Sequence, residues 1–466
     1  MKKTKFARYA AVSAAALMAV SGLAATAHAE SLGDAIAMAY TNNPTLARAR
    51  AQQRATDESY VQSRAQLGPS LDAGVTVSDS DHSSAFSPRS TTGISLSANQ
   101  TLFASGGLAA SVSASRAGVE AGQEDLRSTE AQVLLDVISV YTAVYRDQQA
   151  LQISQDNYDI LKQQLDQTQA QFDAGQLTRT DVAQSQARLS ASAASLAQAQ
   201  AQLDTDRASY VALVGQSPVA LEVVPDLPGI PGDFNTALDA AQKNNPDLSA
   251  ALYAEDAAKD RVRAEKSLYG PTVALQASSG ESAATKHLGD LGASEATTAS
   301  LRVSIPLFTS GLNSSRVREA SENYSAQKSQ TEITRRNVTS QVSQAWSQML
   351  AAQSSVASTQ DEVKAAQVAA DGVKTEQQVG LRTNIEVLNA EQELKSAQLD
   401  LIQAQRTQYV AASQLLEVMG NLTAQTFDPS VELYDPTKNF DRVKNKGWTP
   451  FETVTRTLDG LAAGTH

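Results

Sequence analysis

Cysteine is absent from the 466-residue chain. That excludes disulfides, thiolate metal sites and a lipid-carrying N-terminal cysteine together. Aromatic residues are only 5% of the chain, and alanine dominates its apolar fraction. A thick core of large side chains is therefore not expected, and thin helical layers are. Positive charge is short as well: 38 Lys and Arg stand against 50 Asp and Glu, giving a net charge of −12 and a pI near 4.9. Phosphate backbones need a basic footprint, so no nucleic-acid partner is expected. Beyond the N-terminal region no run has the unbroken apolar length of a transmembrane helix. No phosphate loop, Cys/His cluster or catalytic constellation is present, and the acids are scattered helix-face charges of the kind usually solvated or paired i to i+4. An enzyme is disfavoured, and no metal or cofactor is expected. His82 and His287 sit 205 positions apart in two polar loops, without neighbouring ligand spacing; both read as surface residues.

What is present begins with an export signal. Lys2, Lys3, Lys5 and Arg8 precede an Ala-rich run over residues 10–25 and an "AHA" site ending at Ala29. This predicts a signal peptide over residues 1–29 and a mature chain from Glu30. An exported chain without a membrane helix is soluble in the periplasm, released, or an outer-membrane β-barrel.

The rest is a tandem repeat with an offset of 205 residues. "AGQLTRTDV" at Ala174 returns as "VGLRTNIEV" at Val379, so that Gly175 falls on Gly380. "QTLFASGGL" at Gln100 returns as "IPLFTSGL" at Ile305, and Gly215 falls on Gly420. "NNPTL" at Asn42 returns as "NNPDL" at Asn244, with a small shift. Residues 30–224 form the first repeat, 225–232 a Pro-rich linker, 233–420 the second repeat and 421–466 a C-terminal segment. That last segment reads as irregular packing at the waist of the assembly, with Trp448 as an anchor and a partly disordered tail.

Each repeat runs helix, strand, loop, strand, very long helix, Gly turn, helix. Val137, Val144, Leu151, Tyr158, Leu165 and Phe172 recur every seven residues. So do Val182, Leu189, Leu196, Leu203 and Tyr210 after the turn. Such spacing predicts coiled-coil packing along a narrow seam. The long helix over 107–174 would span roughly 100 Å, and the helices over 32–66 and 181–214 roughly 50 Å each. Two short helices stacked end to end thus match one long helix.

The strands alternate. Leu71, Ala73, Val75 and Val77 face one way and Asp72, Gly74, Thr76 and Ser78 the other; Ile94, Leu96, Ala98 and Leu102 alternate with Ser95, Ser97, Asn99 and Thr101. In the second repeat Val273, Leu275 and Ala277, then Leu301, Val303, Ile305 and Leu307, do the same. This fits a barrel strand between lipid and water, and equally a half-buried sheet in a soluble domain. If the strands do span a membrane, four are too few to close a barrel and an open edge in lipid is forbidden, so several chains must pool them.

The element order, the repeat, and the "LF.SG" and "VGLRTNIEVLNAEQEL" motifs resemble the TolC family of outer-membrane efflux and secretion channels, over essentially the whole mature chain. The resemblance implies a mainly α homotrimer, in which long coiled-coil helices form an α-helical barrel continuous with a twelve-stranded outer-membrane β-barrel, four strands per protomer. It implies a passive exit duct in the outer membrane of a Gram-negative bacterium. Its tips would dock a periplasmic adaptor linked to an inner-membrane ABC or RND-type transporter. The non-lipidated branch favours protein secretion over drug efflux. Carried over by residue, Gly175 and Gly380 form the tip turns, and Arg382 latches to Thr180 and Asp181 of a neighbouring tip. Glu386 belongs to an acidic entrance ring. Two positions depart from the pattern: Asn389 replaces the second ring acid, and Gln377 replaces a latch tyrosine. One acidic ring and a looser latch are therefore expected. Thr180, Asp181, Thr383, Asn384 and Glu386 also lie where N-caps and first-turn acids of a returning helix belong. The alternative reading is a soluble periplasmic coiled-coil scaffold.

Overall fold

A computed structural model describes residues 29–79, 90–218, 220–292 and 294–463. The expected signal peptide, apart from Ala29, and the loop holding His82 lie outside the described residues. Four strands, β1 (Ser70–Asp79), β2 (Ser90–Phe103), β3 (Thr272–Ala283) and β4 (Ser294–Ser304), form one antiparallel sheet in the order β1-β2-β3-β4. The alternation places one apolar face across the whole sheet, because Leu71 pairs with Ala98, Ala98 with Ala277, and Ala277 with Ala299. Leu71, Val75 and Val77 on that face are 58–69% exposed. The apolar pattern expected through Leu307 stops being a strand at Ser304. Pro306 has no N–H for the ladder.

Below the sheet runs a single layer of four helical columns. Two are unbroken: α3 (Gly107–Asp173) and α7 (Leu312–Gln378), each 67 residues. The other two are spliced. The helix expected over 32–66 is in fact α1 (Leu32–Asn42) and α2 (Pro44–Ala65). Pro44 lacks an N–H and pushes Asn43 out of helical geometry, ending α1 and starting α2. Below α2 stands α4 (Arg179–Val214). The second repeat has the same parts: α5 (Phe234–Asn244), α6 (Pro246–Lys266) and α8 (Asn384–Val418). α3 packs on α2 and α6 near the sheet and on α4 and α8 farther down, while α7 packs on α6 and α8.

One side chain makes each splice. Asn43 Oδ1 accepts from the N–H groups of Thr45 (2.8 Å) and Leu46 (3.4 Å) at the start of α2, while its Nδ2 donates to Leu213 O (2.9 Å) at the end of α4. Asn245 repeats this, accepting from Leu248 N (3.0 Å) and donating to Val418 O (2.9 Å). A single amide thus satisfies orphan groups of two helix ends, whose dipoles meet head to tail. Gly420 is required at the second splice: its φ is +71°, and a Cβ would lie 2.2 Å from Asn244 O. Where strand turns into column, Ser105 (φ 53°) with Gly106 (87°) and Ser310 (51°) with Gly311 (83°) form matching left-handed elbows.

The main core lies at this splice level, where Leu32 and Ile36 of α1 meet Val137, Ile138 and Tyr141 of α3. Its counterpart in the second repeat is smaller and alanine-rich, around Ala237, Ala241, Val342 and Met349. Lower down, the seam departs from the expected heptads. The residues buried on α3 there are Ser154, Asn157, Leu161, Gln164 and Thr168, spaced by three and four, while Tyr158, Leu165 and Phe172 stay partly exposed. The spacing is still that of a coiled coil, but much of the seam is polar.

Residues 421–435 pack irregularly against the splice-level core, through Leu422, Ala424 and Leu433, but the rest of the C-terminal segment is mainly helical. It contains α9 (Pro436–Val443), where Phe440 meets the Tyr60 ring of α2 edge-on, and α10 (Pro450–Ala463). α10 docks on β2 and α3, at the sheet end of the columns and not at the waist. Trp448 is 54% exposed, so it is not a buried anchor.

At the splice level burial raises several carboxyls. Glu417 is pushed up to about 7, chiefly by desolvation and further by Asp247 and Asp136, and Asp147 to about 6. Between roughly pH 4.5 and 7 the folded chain holds a proton on Glu417 that the unfolded chain has released, so this group's contribution to stability falls as pH rises. Glu417→Gln is therefore expected to flatten the dependence of melting temperature on pH between about 5 and 8, as read by thermal scans in detergent.

Candidate functional site: the two tip turns

The far ends of the columns are closed by two turns of the same construction. Gly175 (φ +74°) and Gly380 (φ +83°) are left-handed, and no atom would obstruct a Cβ at either, so it is the backbone angle that calls for glycine. In each turn two N–H groups reach back to the ending helix: Gln176 N to Gln171 O (2.9 Å) with Gly175 N to Phe172 O (2.8 Å), and Leu381 N to Glu376 O (2.9 Å) with Gly380 N to Gln377 O (3.0 Å). This is the Schellman arrangement. Each returning helix then opens on a capping box. Thr178 is the N-cap of α4: its N–H and Oγ1 lie 3.0 and 2.7 Å from Asp181 Oδ2. Thr383 caps α8 in the same way, with Glu386 Oε2 at 2.8 and 2.7 Å.

The caps are thus Thr178 and Thr383; Thr180 sits inside the first turn of α4, and Asp181 is the reciprocal acid of the box. Within the chain Asp181 bonds to Thr178, whose hydroxyl holds its carboxyl below the usual range. Arg382 is engaged on both sides. Its Nε donates to Glu376 Oε2 (2.7 Å) on the last turn of α7, and its Nη1 to Glu386 Oε1 (2.9 Å) on the first turn of α8. The Thr383 N–H and hydroxyl, with Arg382, hold Glu386 down to about 2. At the 205 offset Glu376 and Arg382 correspond to Gln171 and Leu177, so the charged bridge belongs to one tip only. Gln377 gives its carbonyl to the turn, and no bond of its side chain is recorded among the described residues.

Asn389, the second ring position, accepts from Arg188 Nη2 of α4 at 2.8 Å. It therefore ties the two hairpins together. A buried chain of bonds does the same beside it: Gln164 Nε2 donates to Asn384 Oδ1 (2.8 Å), Asn384 Nδ2 to Ser185 Oγ (2.9 Å), and Ser185 Oγ lies 3.3 Å from Thr168 Oγ1. Three helices are joined by groups that have no water to turn to, so separating the hairpins would strand them. Glu376, Arg188, Gln164, Thr168 and Ser185 were not singled out from the sequence. The one available signal was their position on heptad-spaced faces near the Gly turns. His287 lies in an exposed loop with its backbone N–H on Thr285 Oγ1. No group of three or more His, Cys, Asp or Glu among the described residues is placed to hold a metal ion, and no described helix is long and apolar enough to cross a membrane.

Two carboxylates and one guanidinium leave one net negative charge at each copy of the Arg382 bridge. Charge at a constriction selects ions by sign. Glu386→Gln is accordingly expected to lower cation selectivity, seen as a reversal potential nearer zero in a salt gradient across a planar bilayer. An unaltered potential would refute an entrance role for Glu386.

A sheet with one exposed apolar face, carried on two helical hairpins with a charged bridge at the far end, defines the class of outer-membrane export channels. The chain belongs to the outer membrane efflux protein family, whose model matches residues 35–216 and again 237–421, one stretch for each repeat. It is 32% identical over 435 residues to the outer membrane efflux protein BepC of Brucella suis biovar 1 (strain 1330), covering 93% of this chain and 95% of that protein. It is 26% identical over 426 residues to the outer membrane protein TolC of Escherichia coli (strain K12), covering 88% and 86%. Its fold superposes on the crystal structure of the Campylobacter jejuni CmeC outer membrane channel with a TM-score of 0.75 at 16% identity, over 89% of each chain.

Proposed function

We propose that three copies of the chain pool their sheets into one twelve-stranded barrel and their helical columns into a periplasmic tunnel, forming the exit duct of a tripartite export system. The observation that carries this reading is the sheet itself. Its outer strands β1 and β4 each pair on one side only among the described residues, and its apolar face lies open. Lipid tolerates no unpaired edge, and four strands close nothing, so neighbours must supply the missing partners. Energy would come from an inner-membrane ABC or RND-type transporter, joined to the tips through a periplasmic adaptor. In the assembled duct Arg382 would add bonds to Thr180 and Asp181 of the adjacent copy, and three copies of Glu386 would ring the entrance. A soluble scaffold would have no use for an exposed sheet of Leu and Val. Membrane fractionation with unheated gel mobility tests the reading: the protein is expected in the outer membrane as a trimer that dissociates on heating. A stable water-soluble monomer would overturn it.

A further inference from the structure

α10 divides its surface between polar anchoring and an uncovered apolar stripe. Inward, the fully buried Asp459 accepts through Oδ1 from the N–H groups of Ala104 (2.7 Å) and Gly106 (2.9 Å), and through Oδ2 from Ala109 (3.0 Å). Thr455 Oγ1 accepts from Gln100 Nε2 (3.1 Å), and Glu452 pairs with Arg64 (3.4 Å). The helix is thereby fixed to the junction where β2 passes into α3. Outward, Phe451, Val454, Leu458 and Leu461 follow at steps of three, four and three, 41–71% exposed. Trp448 stands exposed just ahead of them.

Gln100 decides which side of the sheet this is. It continues the alternation of Ile94, Leu96 and Ala98 and pairs with Leu275, so it belongs to the apolar face. α10 therefore lies on the side of the sheet that meets hydrocarbon, at the end where the columns begin. On that same face Leu275, Leu301 and Val303 are exposed as well. The charge around α10 has the matching sign. Lys438, Arg442, Lys444, Lys446 and Arg456 face solvent here; Lys438 pairs with Glu432, Lys444 with Asp441 and Arg456 with the buried Glu452, while Arg442 and Lys446 have no ion pair among the described residues. An apolar stripe, flanking cations and an aromatic at the boundary are the features of a helix lying in a membrane interface.

We propose that α10 is seated in the periplasmic leaflet of the outer membrane, with its stripe among phospholipid acyl chains and its cations at the headgroups. It would give the chain a second membrane attachment where no cysteine exists to carry a lipid. The chain has two tryptophans, so Trp346→Phe leaves Trp448 as the sole reporter. The full-length variant is reconstituted as a trimer into phosphatidylethanolamine/phosphatidylglycerol vesicles, with or without bromine on the acyl chains. Trp448 emission is expected to lose most of its intensity in the brominated vesicles, more with shallow bromines than with deep ones. Adding Leu458→Glu and Leu461→Glu, which leave Asp459 in place, is expected to restore it. Full intensity in brominated lipid overturns the proposal, and iodide then tells the two remaining outcomes apart: quenching means water, and protection means cover by a neighbouring copy. Since Trp448 is read first without the double substitution, a folding defect in that variant leaves the test intact.

Discussion

Arg382→Ser is expected to raise single-channel conductance in planar bilayers several-fold. The guanidinium joins the last turn of α7 to the first turn of α8 through two carboxylates, Glu376 and Glu386. Both pairs are solvent-exposed, so each alone holds little. In the proposed closed entrance they would act together, because a symmetric closure loses the same contacts in every copy at once. Serine removes both bonds and any bond to a neighbouring tip, and leaves two like charges facing each other across the turn. Such a tip would be pushed open by charge as well as released. Glu376→Gln removes one negative charge but keeps an oxygen that can accept from Arg382, so its conductance should rise less. The α8 cap survives in both variants, since Thr383 and Glu386 remain, and circular dichroism should show unchanged helix content. Conductance equal to wild type in Arg382→Ser would exclude a latch at this residue.

Asp459→Ala is expected to cause the largest loss of stability of any single change in the C-terminal segment. α3 opens on Gly106, which has no side chain to cap it. The Asp459 carboxylate arrives from 350–355 residues away and takes three N–H groups at that helix start. Alanine would strand these donors in a buried site, at about 1–3 kcal/mol for each one left unpaired. The melting temperature of the trimer should fall by several degrees, with α10 the first segment to lose protection in hydrogen exchange. Asp459→Asn keeps an acceptor and should lose less. A melting curve for Asp459→Ala that overlays wild type would mean that water serves the junction equally well.

Much of this architecture was legible because it rests on periodicity. The two-residue alternation of Leu71 to Val77 gave the apolar face, and the 205-residue offset gave matching hairpins with glycine at both turns. What stayed hidden depended on single polar atoms. "NNP" was visible as a repeated motif, but nothing local reveals that the Asn43 amide would cap two helices contributed by distant segments. The seam through Gln164 and Thr168 was masked because the apolar heptad of Tyr158 and Leu165 is the louder pattern, and that pattern follows a partly exposed face. At the tip Arg382 and Glu386 were found through resemblance. Glu376 was not, since six residues is no regular helical spacing and the contact exists only because the Gly380 turn folds the chain back. α10 has no local signature because its anchoring acid serves a helix start in another part of the chain.

The Asn43 and Asn245 splices set two kinds of column apart. A column in two pieces has no covalent backbone across its joint, where an amide and the surrounding core hold the helix ends together, whereas an unbroken rod carries its backbone straight through. Of the four columns only α3 and α7 are unbroken. Only along those two does the covalent backbone run without a break from the sheet to the tip turns.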